Sequence, residues 1–277
     1  MSAVPSLVMN NGLEIPQLGF GVFLVPPEET SNAVAEALNT GYRLIDTAQG
    51  YRNEEGVGSA IAESDVSRDE LFITTKLTNS KHGYDSALTA FDDSMKKLGL
   101  DVLDLFLIHW PLPTFDQYVE TWRAFERLLA DGRVRSIGVS NFEIAHLQRL
   151  LAETDVTPAV NQVELHPEFP QEELRAFHEE HGILTESWGP LGQGKGLLEN
   201  PSIVEVARRK DRTPAQVVLR WHVQLGSVVI PKSVHSDRIR ENIQVFDFEL
   251  DDADMADISK VRTGQRLGAD PNEFAMR

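Results

Sequence analysis

The sequence contains no cysteine. This absence excludes a disulfide framework and any thiolate metal site. A chain without cysteine is compatible with a reducing compartment, and we expect it to act in the cytoplasm.

Basic residues are scarce, and long apolar runs are missing. The 26 basic side chains stand against 43 acidic ones, and the formal net charge of −17 repels phosphate backbones and anionic lipid surfaces. No apolar run reaches the roughly 18 residues of a transmembrane helix, and the N-terminus lacks the basic start of a signal peptide. We therefore expect neither nucleic acid nor a membrane as a partner.

What the chain does contain is a repeated alternation of strand-like runs and helical patterns. With 277 residues, of which 41% are hydrophobic, it is long enough for one large α/β barrel or for two ordinary domains. Eight short apolar runs occur, at 18–23, 43–48, 71–77, 102–110, 134–141, 159–165, 183–191 and 227–233. Helical patterns lie between them and no linker divides the series, which favours parallel strands closed into a (β/α)8 TIM barrel. We predict a single domain over residues 1–277.

Three segments fall outside this repeat. The dipeptide Asn11-Gly12 stands between two alternating runs, a pattern typical of a tight β-hairpin, and we predict that this hairpin plugs the bottom of the barrel. Segments 213–226 and 250–261 are predicted to be extra helices near the C-terminal end.

Four polar residues stand at or just after the ends of predicted strands. Asp46 ends the second strand and Tyr51 lies in the loop that follows it, while Lys76 and His109 end the third and fourth strands. Barrel active sites are built where strands end and loops begin, so we expect the four side chains to converge on one mouth.

These residue types can form an acid catalyst. A phenol has an ordinary pKa of about 10, and holding it near neutrality takes roughly 3 to 4 kcal/mol of phenolate stabilisation. The Lys76 ammonium, kept charged by Asp46, could supply it in a dry pocket, and His109 could donate a hydrogen bond to a carbonyl oxygen or orient the substrate. Taken singly, Asp46 could instead cap the helix that begins near Asn53, Lys76 could be a charge on the rim, and His109 could be an ordinary half-buried histidine.

Around these residues the sequence resembles the aldo-keto reductase superfamily, and within it the bacterial 2,5-diketo-D-gluconate reductases. The resemblance runs from about residue 5 to about residue 262 and rests on seven motifs in order: GYRLIDTAQGYRNEEGVG, LFITTKL, DLFLIHWP, SIGVSNF, PAVNQVELHP, ESWGPLGQGKG and IPKSVHSDRIRENIQVFDFEL. It implies a barrel that reduces aldehydes and ketones with NADPH and without a metal. It also matches Asp46, Tyr51, Lys76 and His109 to the catalytic tetrad of the family.

The resemblance further implies a cofactor site. Ser140, Asn141 and Gln162 match the groups that hold the nicotinamide carboxamide, for which hydroxyl and amide side chains offer both donors and acceptors. Trp188 matches the platform on which the nicotinamide ring stacks, with a core tryptophan as the alternative. The loop expected to pass over the pyrophosphate contains Gly189, Leu191 and Gln193.

A basic segment after the eighth strand resembles a clamp for an adenosine 2′-phosphate. It opens a predicted helix, whose N–H groups suit an anion, and Lys232, Ser233 and Arg238 add positive charge and a hydroxyl. This assignment implies NADPH over NADH, and the alternative is that the two cations are ordinary solvated charges. Glu241 and Asn242 match the residues that meet the adenine and ribose.

Substrate contacts are expected from Phe23, Gln49 and Trp110. Most relatives have a small or apolar pair before the tyrosine and a glycine after it, whereas this chain has Gln49 among the preceding residues and Arg52 afterwards. We predict that Gln49 adds a hydrogen-bonding group to the pocket wall. The tail 262–277 also differs from close relatives and is expected to overhang the pocket.

These observations predict an NADPH-dependent reductase of small-molecule carbonyls, with dicarbonyls such as 2,5-diketo-D-gluconate or methylglyoxal-like compounds as candidate substrates. Tyr51 is the predicted general acid, and family likeness favours a monomer. One alternative is a barrel that binds NADPH but regulates a partner with little turnover. A second is a metal-dependent hydrolase that uses Asp46, His109 and His166, which Lys76 disfavours because its positive charge would sit beside a cation.

Overall fold

The backbone of the protein is organised around eight short parallel strands. The computed structural model describes residues 4–276. A two-stranded hairpin comes first, and the eight strands follow it in sequence order. The strands are β1 (Ser6–Val8), β2 (Glu14–Pro16), β3 (Gly19–Gly21), β4 (Leu44–Asp46), β5 (Phe72–Leu77), β6 (Leu103–Ile108), β7 (Val134–Ser140), β8 (Val160–Glu164), β9 (Leu184–Trp188) and β10 (Val228–Val229).

The eight strands close on themselves. Each of β3 to β10 pairs in parallel with its neighbour in the sequence. The first and last are joined by hydrogen bonds from Val229 N to Gln17 O and from Gly21 N to Pro231 O, both 3.0 Å. The predicted (β/α)8 TIM barrel is confirmed.

Helices cover the outside of the barrel. They are α1 (Pro27–Thr40), α2 (Glu54–Glu63), α3 (Tyr84–Leu98), α4 (Tyr118–Ala130), α5 (Ile144–Glu153), α6 (Glu172–Glu180), α7 (Pro201–Lys210), α8 (Pro214–Gln224), α9 (Ser236–Asn242) and α10 (Asp252–Ser259). The predicted extra helices correspond to α8 and α10. Helix α7 was not predicted, although Asn200 caps it by accepting a hydrogen bond from Ser202 N and Pro201 occupies its first position.

Side chains of the strands alternate between two apolar layers. Along β6, Phe106 and Ile108 pack in the outer layer beneath the helices, whereas Leu105 and Leu107 belong to an inner cluster. Met9 and Ile15 of the hairpin segment pack in the same inner cluster, as expected of a plug. Within residues 4–276 no helix is both long and apolar enough to cross a membrane.

The inner side of the barrel becomes polar towards the carboxyl ends of the strands. Counting every second residue from an apolar inner position leads to a polar one, because side chains on a strand repeat with a period of two. The inner apolar positions are Leu44, Phe72, Val160 and Leu184, and the polar positions above them are Asp46, Thr74, Lys76, Gln162 and Glu186. The strand pattern thus builds a polar layer on top of an apolar one.

Candidate active site

The four candidate catalytic residues come together at the mouth of the barrel. Asp46 ends β4, Lys76 lies near the end of β5, and His109 directly follows β6. A single 3₁₀ turn, Gln49–Tyr51, follows β4 and presents the tyrosine. Two strand residues and two residues from the loops that follow strands therefore share one site.

The centre of this site is a buried ion pair. The Lys76 side chain has no exposed surface, and its Nζ lies 2.6 Å from Asp46 Oδ1. The ammonium also donates to the carbonyl oxygen of Thr47 at 3.0 Å and lies 3.4 Å from the Tyr51 hydroxyl. Gln162 Nε2 donates to the second oxygen of Asp46 at 2.9 Å. Asp46 therefore holds the lysine instead of capping a helix, and Lys76 is not a charge on the rim.

Burial and charge act in opposite directions on the Tyr51 hydroxyl. Burial raises the pKa of Tyr51, the Lys76 ammonium lowers it and the Asp46 carboxylate raises it, with a net direction above the ordinary value. Burial by itself would lower the pKa of Lys76, but Asp46 and Tyr51 raise it above its ordinary value. The site therefore holds a protonated tyrosine beside a charged lysine. A tyrosine poised near neutrality is not what the structure presents, because burial outweighs the lysine.

His109 is the neutral member of the group. Burial, together with the charges of Lys76 and His82, lowers the pKa of His109 to about 3. Its ring lies edge-on to the Tyr51 ring at a centroid distance of 5.7 Å, and the Phe23 ring lies 5.1 Å from the same tyrosine. A neutral imidazole has one donor and one acceptor nitrogen, which suits a group that orients a polar substrate.

Ser140, Asn141, Gln162 and Trp188 form one hydrogen-bonded cluster beside the ion pair. Ser140 Oγ donates to the Gln162 carbonyl oxygen at 2.8 Å, and Trp188 Nε1 donates to Asn141 Oδ1 at 2.8 Å. Asn141 has left-handed backbone geometry, with φ of 63°, and its Nδ2 donates to the His109 carbonyl oxygen at 3.0 Å. Trp188 is half-buried, so it is not an enclosed core tryptophan.

The loop after β9 adopts conformations that favour glycine. Gly189, Gly192 and Gly194 have φ of 62°, 71° and 72°, and Gln193 shares this left-handed region at 51°. Gln193 is exposed, whereas Leu191 is partly buried and packs against the outer apolar layer. Leu191 is one of the three residues predicted to meet a pyrophosphate, and its side chain additionally fixes the loop to the outer apolar layer.

Lys232 and Arg238 project from the segment after β10. Both are exposed, and among the described residues neither forms an ion pair, whereas the nearby Arg240 pairs with Glu36 at 2.7 Å. Ser233 is buried, and its Oγ accepts a hydrogen bond from the backbone of this segment, at 3.0 Å. Although the chain is acidic overall, the positive charges of Lys232 and Arg238 are not neutralised by a carboxylate among the described residues and can bind an anion.

The two residues predicted to meet adenine and ribose lie at the end of α9. Glu241 is half-buried and its Oε1 accepts a hydrogen bond from Thr213 Oγ1 at 2.6 Å. Asn242 is buried. Glu241 is therefore tied to the start of α8.

The Gln49 side chain does not face the pocket. Its Nε2 donates to the Ala90 carbonyl oxygen at 2.7 Å and to Ser94 Oγ at 2.8 Å, both on α3. Its Oε1 accepts from Thr78 N at 2.9 Å. The prediction of a hydrogen-bonding group in the pocket wall is corrected accordingly, because both ends of the amide fasten the turn that carries Tyr51 to α3 and to the end of β5.

The C-terminal tail crosses the mouth of the barrel. Glu164, at the end of β8, accepts hydrogen bonds from Leu267 N at 2.5 Å and Gly268 N at 2.8 Å. The Phe274 ring then packs on Trp110 at a centroid distance of 4.3 Å, while the exposed Phe23 lies beside Tyr51. Phe274 thus contacts one of the predicted pocket residues, and sequence reasoning did not single it out, since no local pattern shows where an irregular tail folds back.

Glu186 is the second residue that sequence reasoning did not single out. It lies on β9, is fully buried, and faces the ion pair from the inner side of the barrel. The alternation Leu184, Glu186, Trp188 was the available signal, since both neighbours pack against the inner cluster.

The residues named for a metal-dependent hydrolase are not arranged as metal ligands. His166 Nε2 lies 3.1 Å from Glu164 Oε1, and Asp46 is engaged by Lys76. Across residues 4–276, no group of three or more His, Asp and Glu side chains is arranged to hold a metal ion.

The chain is similar to known proteins over nearly its whole length. The family model described as the Aldo/keto reductase family matches residues 17–263. An aldo-keto reductase of Mycolicibacterium smegmatis is 55% identical, with 98% of each chain covered. Methylglyoxal reductase DkgA of Escherichia coli is 50% identical, covering 98% of this chain and 99% of that one. The crystal structure of a Gox0644 mutant in complex with NADPH matches with a TM-score of 0.94 and 51% identity, covering 99% of both chains. The chain belongs to the aldo/keto reductase family.

Proposed function

We propose that the protein reduces aldehydes and ketones with NADPH and that Tyr51 is the general acid. The observation that carries this proposal is the position of Lys76 Nζ, 2.6 Å from Asp46 Oδ1 and 3.4 Å from the Tyr51 hydroxyl. A protonated tyrosine can give its proton to a carbonyl oxygen here, since the phenolate left behind is stabilised by an ammonium already in place.

His109 and the buried ion pair have separate tasks in this mechanism. The neutral His109 ring, edge-on to Tyr51, donates a hydrogen bond that orients the carbonyl oxygen towards the hydroxyl. Asp46 keeps Lys76 charged and in position, and the low polarity around the pair strengthens its effect on Tyr51. In the reverse direction the same tyrosine accepts the proton.

The residues around the mouth fit NADPH. Lys232 and Arg238, which have no carboxylate partner among the described residues, would hold the 2′-phosphate. Ser140, Asn141 and Gln162 would hold the carboxamide, beside the half-buried Trp188 as platform. When bound, the nicotinamide supplies the hydride that reduces the carbonyl carbon. The similarity to a Gox0644 mutant solved with NADPH supports this choice.

We propose small dicarbonyls as substrates, such as methylglyoxal or 2,5-diketo-D-gluconate. The 50% identity to a methylglyoxal reductase supports this class. Phe23, Trp110 and Phe274 provide apolar walls beside the polar centre, which suits a short carbon chain with adjacent oxygens. We further propose a cytoplasmic monomer, since the chain has no cysteine and one copy supplies every proposed site residue.

The function is tested by following NADPH oxidation with methylglyoxal, 2,5-diketo-D-gluconate, an aromatic aldehyde and a cyclic ketone. Fast turnover of the two dicarbonyls supports the proposal, and faster turnover of the cyclic ketone overturns the substrate class. Tight NADPH binding without reduction of any of the four overturns the enzymatic role and favours the regulatory alternative.

The proposed phosphate clamp predicts a change in cofactor preference. Replacing both Lys232 and Arg238 with Ala is expected to raise KM for NADPH about 30-fold while leaving KM for NADH within about twofold, because only NADPH carries the 2′-phosphate. Lys96→Ala is the matched control, since Lys96 is exposed on α3 and its one ion pair within residues 4–276 is with Asp93 at 3.8 Å. An equal rise for both cofactors in the double variant would show that these cations do not read the phosphate.

A further inference from the structure

Glu186 is a buried carboxyl group that the mechanism above does not use. It occupies the middle of β9 and has no exposed surface, and neither side-chain oxygen forms a hydrogen bond of normal geometry among the described residues, because the nearby Gln162 amide donates to Asp46 instead. An ionised carboxylate is very costly in such surroundings, and a neutral carboxyl group costs much less. Its position therefore calls for a reason other than packing.

The register of the sheet directs Glu186 towards the catalytic ion pair. It is the register partner of Gln162 on β8, whose amide reaches across the barrel to Asp46. Residues in register on neighbouring strands point to the same side of a sheet, and the adjacent inner positions on β9, Leu184 and Trp188, pack against the inner cluster. Glu186 thus faces the same polar layer as Asp46 and Lys76.

The charges around Glu186 favour its neutral form at physiological pH. Burial and the Asp46 carboxylate raise the pKa of Glu186 to about 8, against the opposing effects of Gln162 and Lys76. From the inner side the titratable groups that face it are Asp46, Lys76 and Tyr51. Its sheet partners Gln162 and Val228 do not titrate.

The helices outside β9 place two histidines beside its outward-facing side chains, and the Arg175 guanidinium on α6 acts on both rings. His178 on α6 lies 2.8 Å from Thr185 Oγ1, and His222 on α8 lies 3.1 Å from Ser187 Oγ. Burial lowers the pKa of each histidine to about 3, so both rings are neutral where Glu186 titrates.

We propose that Glu186 is protonated at neutral pH and ionises at alkaline pH. The ionised Glu186 adds a second negative charge near Lys76, and this charge keeps the Tyr51 hydroxyl protonated. Glu186 acts through Lys76 and Tyr51 and touches no substrate, so it is a positioning residue. Its effect is to extend the pH range over which Tyr51 can donate a proton. This inference rests on the proposed role of Tyr51.

The first test is the pH profile of Glu186→Gln, an isostere of the protonated acid that cannot ionise. Reduction requires protonated Tyr51, so kcat/KM falls on the alkaline side, and we expect this limb to move about 1 pH unit lower in the variant. Alcohol oxidation requires the phenolate, and its rising limb should move in the same direction by the same amount. A purely structural role would lower the rates at all pH values without moving either limb.

Two further variants sharpen this profile. Glu186→Asp keeps a titrating carboxyl group, so the alkaline limb of its kcat/KM profile should lie closer to that of the wild type than the limb of Glu186→Gln does. Glu54→Gln removes a different buried carboxylate, which accepts hydrogen bonds from Thr75 and Ser94, and should leave the limb in place. Coincident limbs in wild type and Glu186→Gln would overturn the inference.

The second test needs neither cofactor nor substrate. Infrared spectroscopy of the whole protein at pH 7 should show the carbonyl stretch of a protonated carboxyl group that disappears as the pH rises through about 8 and is missing in Glu186→Gln. An active enzyme without this band at pH 7 would overturn the inference about Glu186 and leave the proposed function standing. An inactive protein that shows the band would overturn the proposed function and leave the protonation of Glu186 established.

Discussion

Tyr51→Phe is expected to lower kcat for carbonyl reduction about 100- to 10,000-fold while leaving NADPH affinity unchanged. The substitution removes the proton donor and keeps the ring that packs between Phe23 and His109, at centroid distances of 5.1 and 5.7 Å. Burial keeps this hydroxyl protonated, and the Lys76 ammonium that would stabilise the phenolate lies 3.4 Å from it. Steady-state NADPH oxidation gives kcat, and quenching of tryptophan fluorescence gives the affinity.

A second tyrosine provides the matched control for this variant. Tyr84 begins α3 and is partly buried against the outer apolar layer. Tyr84→Phe makes the same chemical change and should keep kcat within about twofold. Retention of at least a tenth of the wild-type kcat by Tyr51→Phe would remove the tyrosine from the proposed mechanism.

Lys76→Met is expected to cost both activity and stability. It leaves the Asp46 carboxylate buried without its cation, and removing one partner of a buried ion pair lowers the free energy of unfolding by about 3 to 5 kcal/mol. The reductase rate should also fall at least about 100-fold, because the phenolate of Tyr51 loses its stabilising charge. Urea unfolding measures the first effect and steady-state kinetics the second.

A double substitution separates these two consequences. Asp46→Asn combined with Lys76→Met replaces the pair with neutral groups of similar shape, and most of the lost unfolding free energy should return while the activity does not. The exposed pair of Arg127 and Asp131, at 2.7 Å, is the control, since breaking it should cost less than about 1 kcal/mol. Recovery of activity in the double variant would show that the charge of Lys76 is not used in the reaction.

The success of the sequence predictions follows from the period of the structural elements. Parallel strands joined by helices read as alternating short apolar runs, and this pattern led to the eight-stranded barrel. The end of each strand was also readable, which located Asp46, Lys76 and His109 at one mouth. Helix α7 was missed, although its buried residues Ile203, Val206 and Ala207 follow helical spacing.

The direction of side chains in the loops could not be predicted from such a pattern. Gln49 stands two residues before the candidate acid, and proximity in sequence suggested a pocket contact. In the fold α3 passes on the other side of the turn, and its Ala90 carbonyl and Ser94 hydroxyl bind the amide. The partners are separated from Gln49 by 41 and 45 positions, so only the packing of α3 decides where the side chain points.

The sequence by itself determined the barrel, the residues at the strand ends and the family, because local periodicity and motif order are properties of the chain alone. The tertiary structure alone decided the balance of charge at the site. The protonation of Tyr51 and Glu186 depends on burial and on Asp46 and Lys76, and these groups come from four different strands and loops. Electrostatic free energy depends on distance and on exclusion of water, and neither exists until the chain has folded.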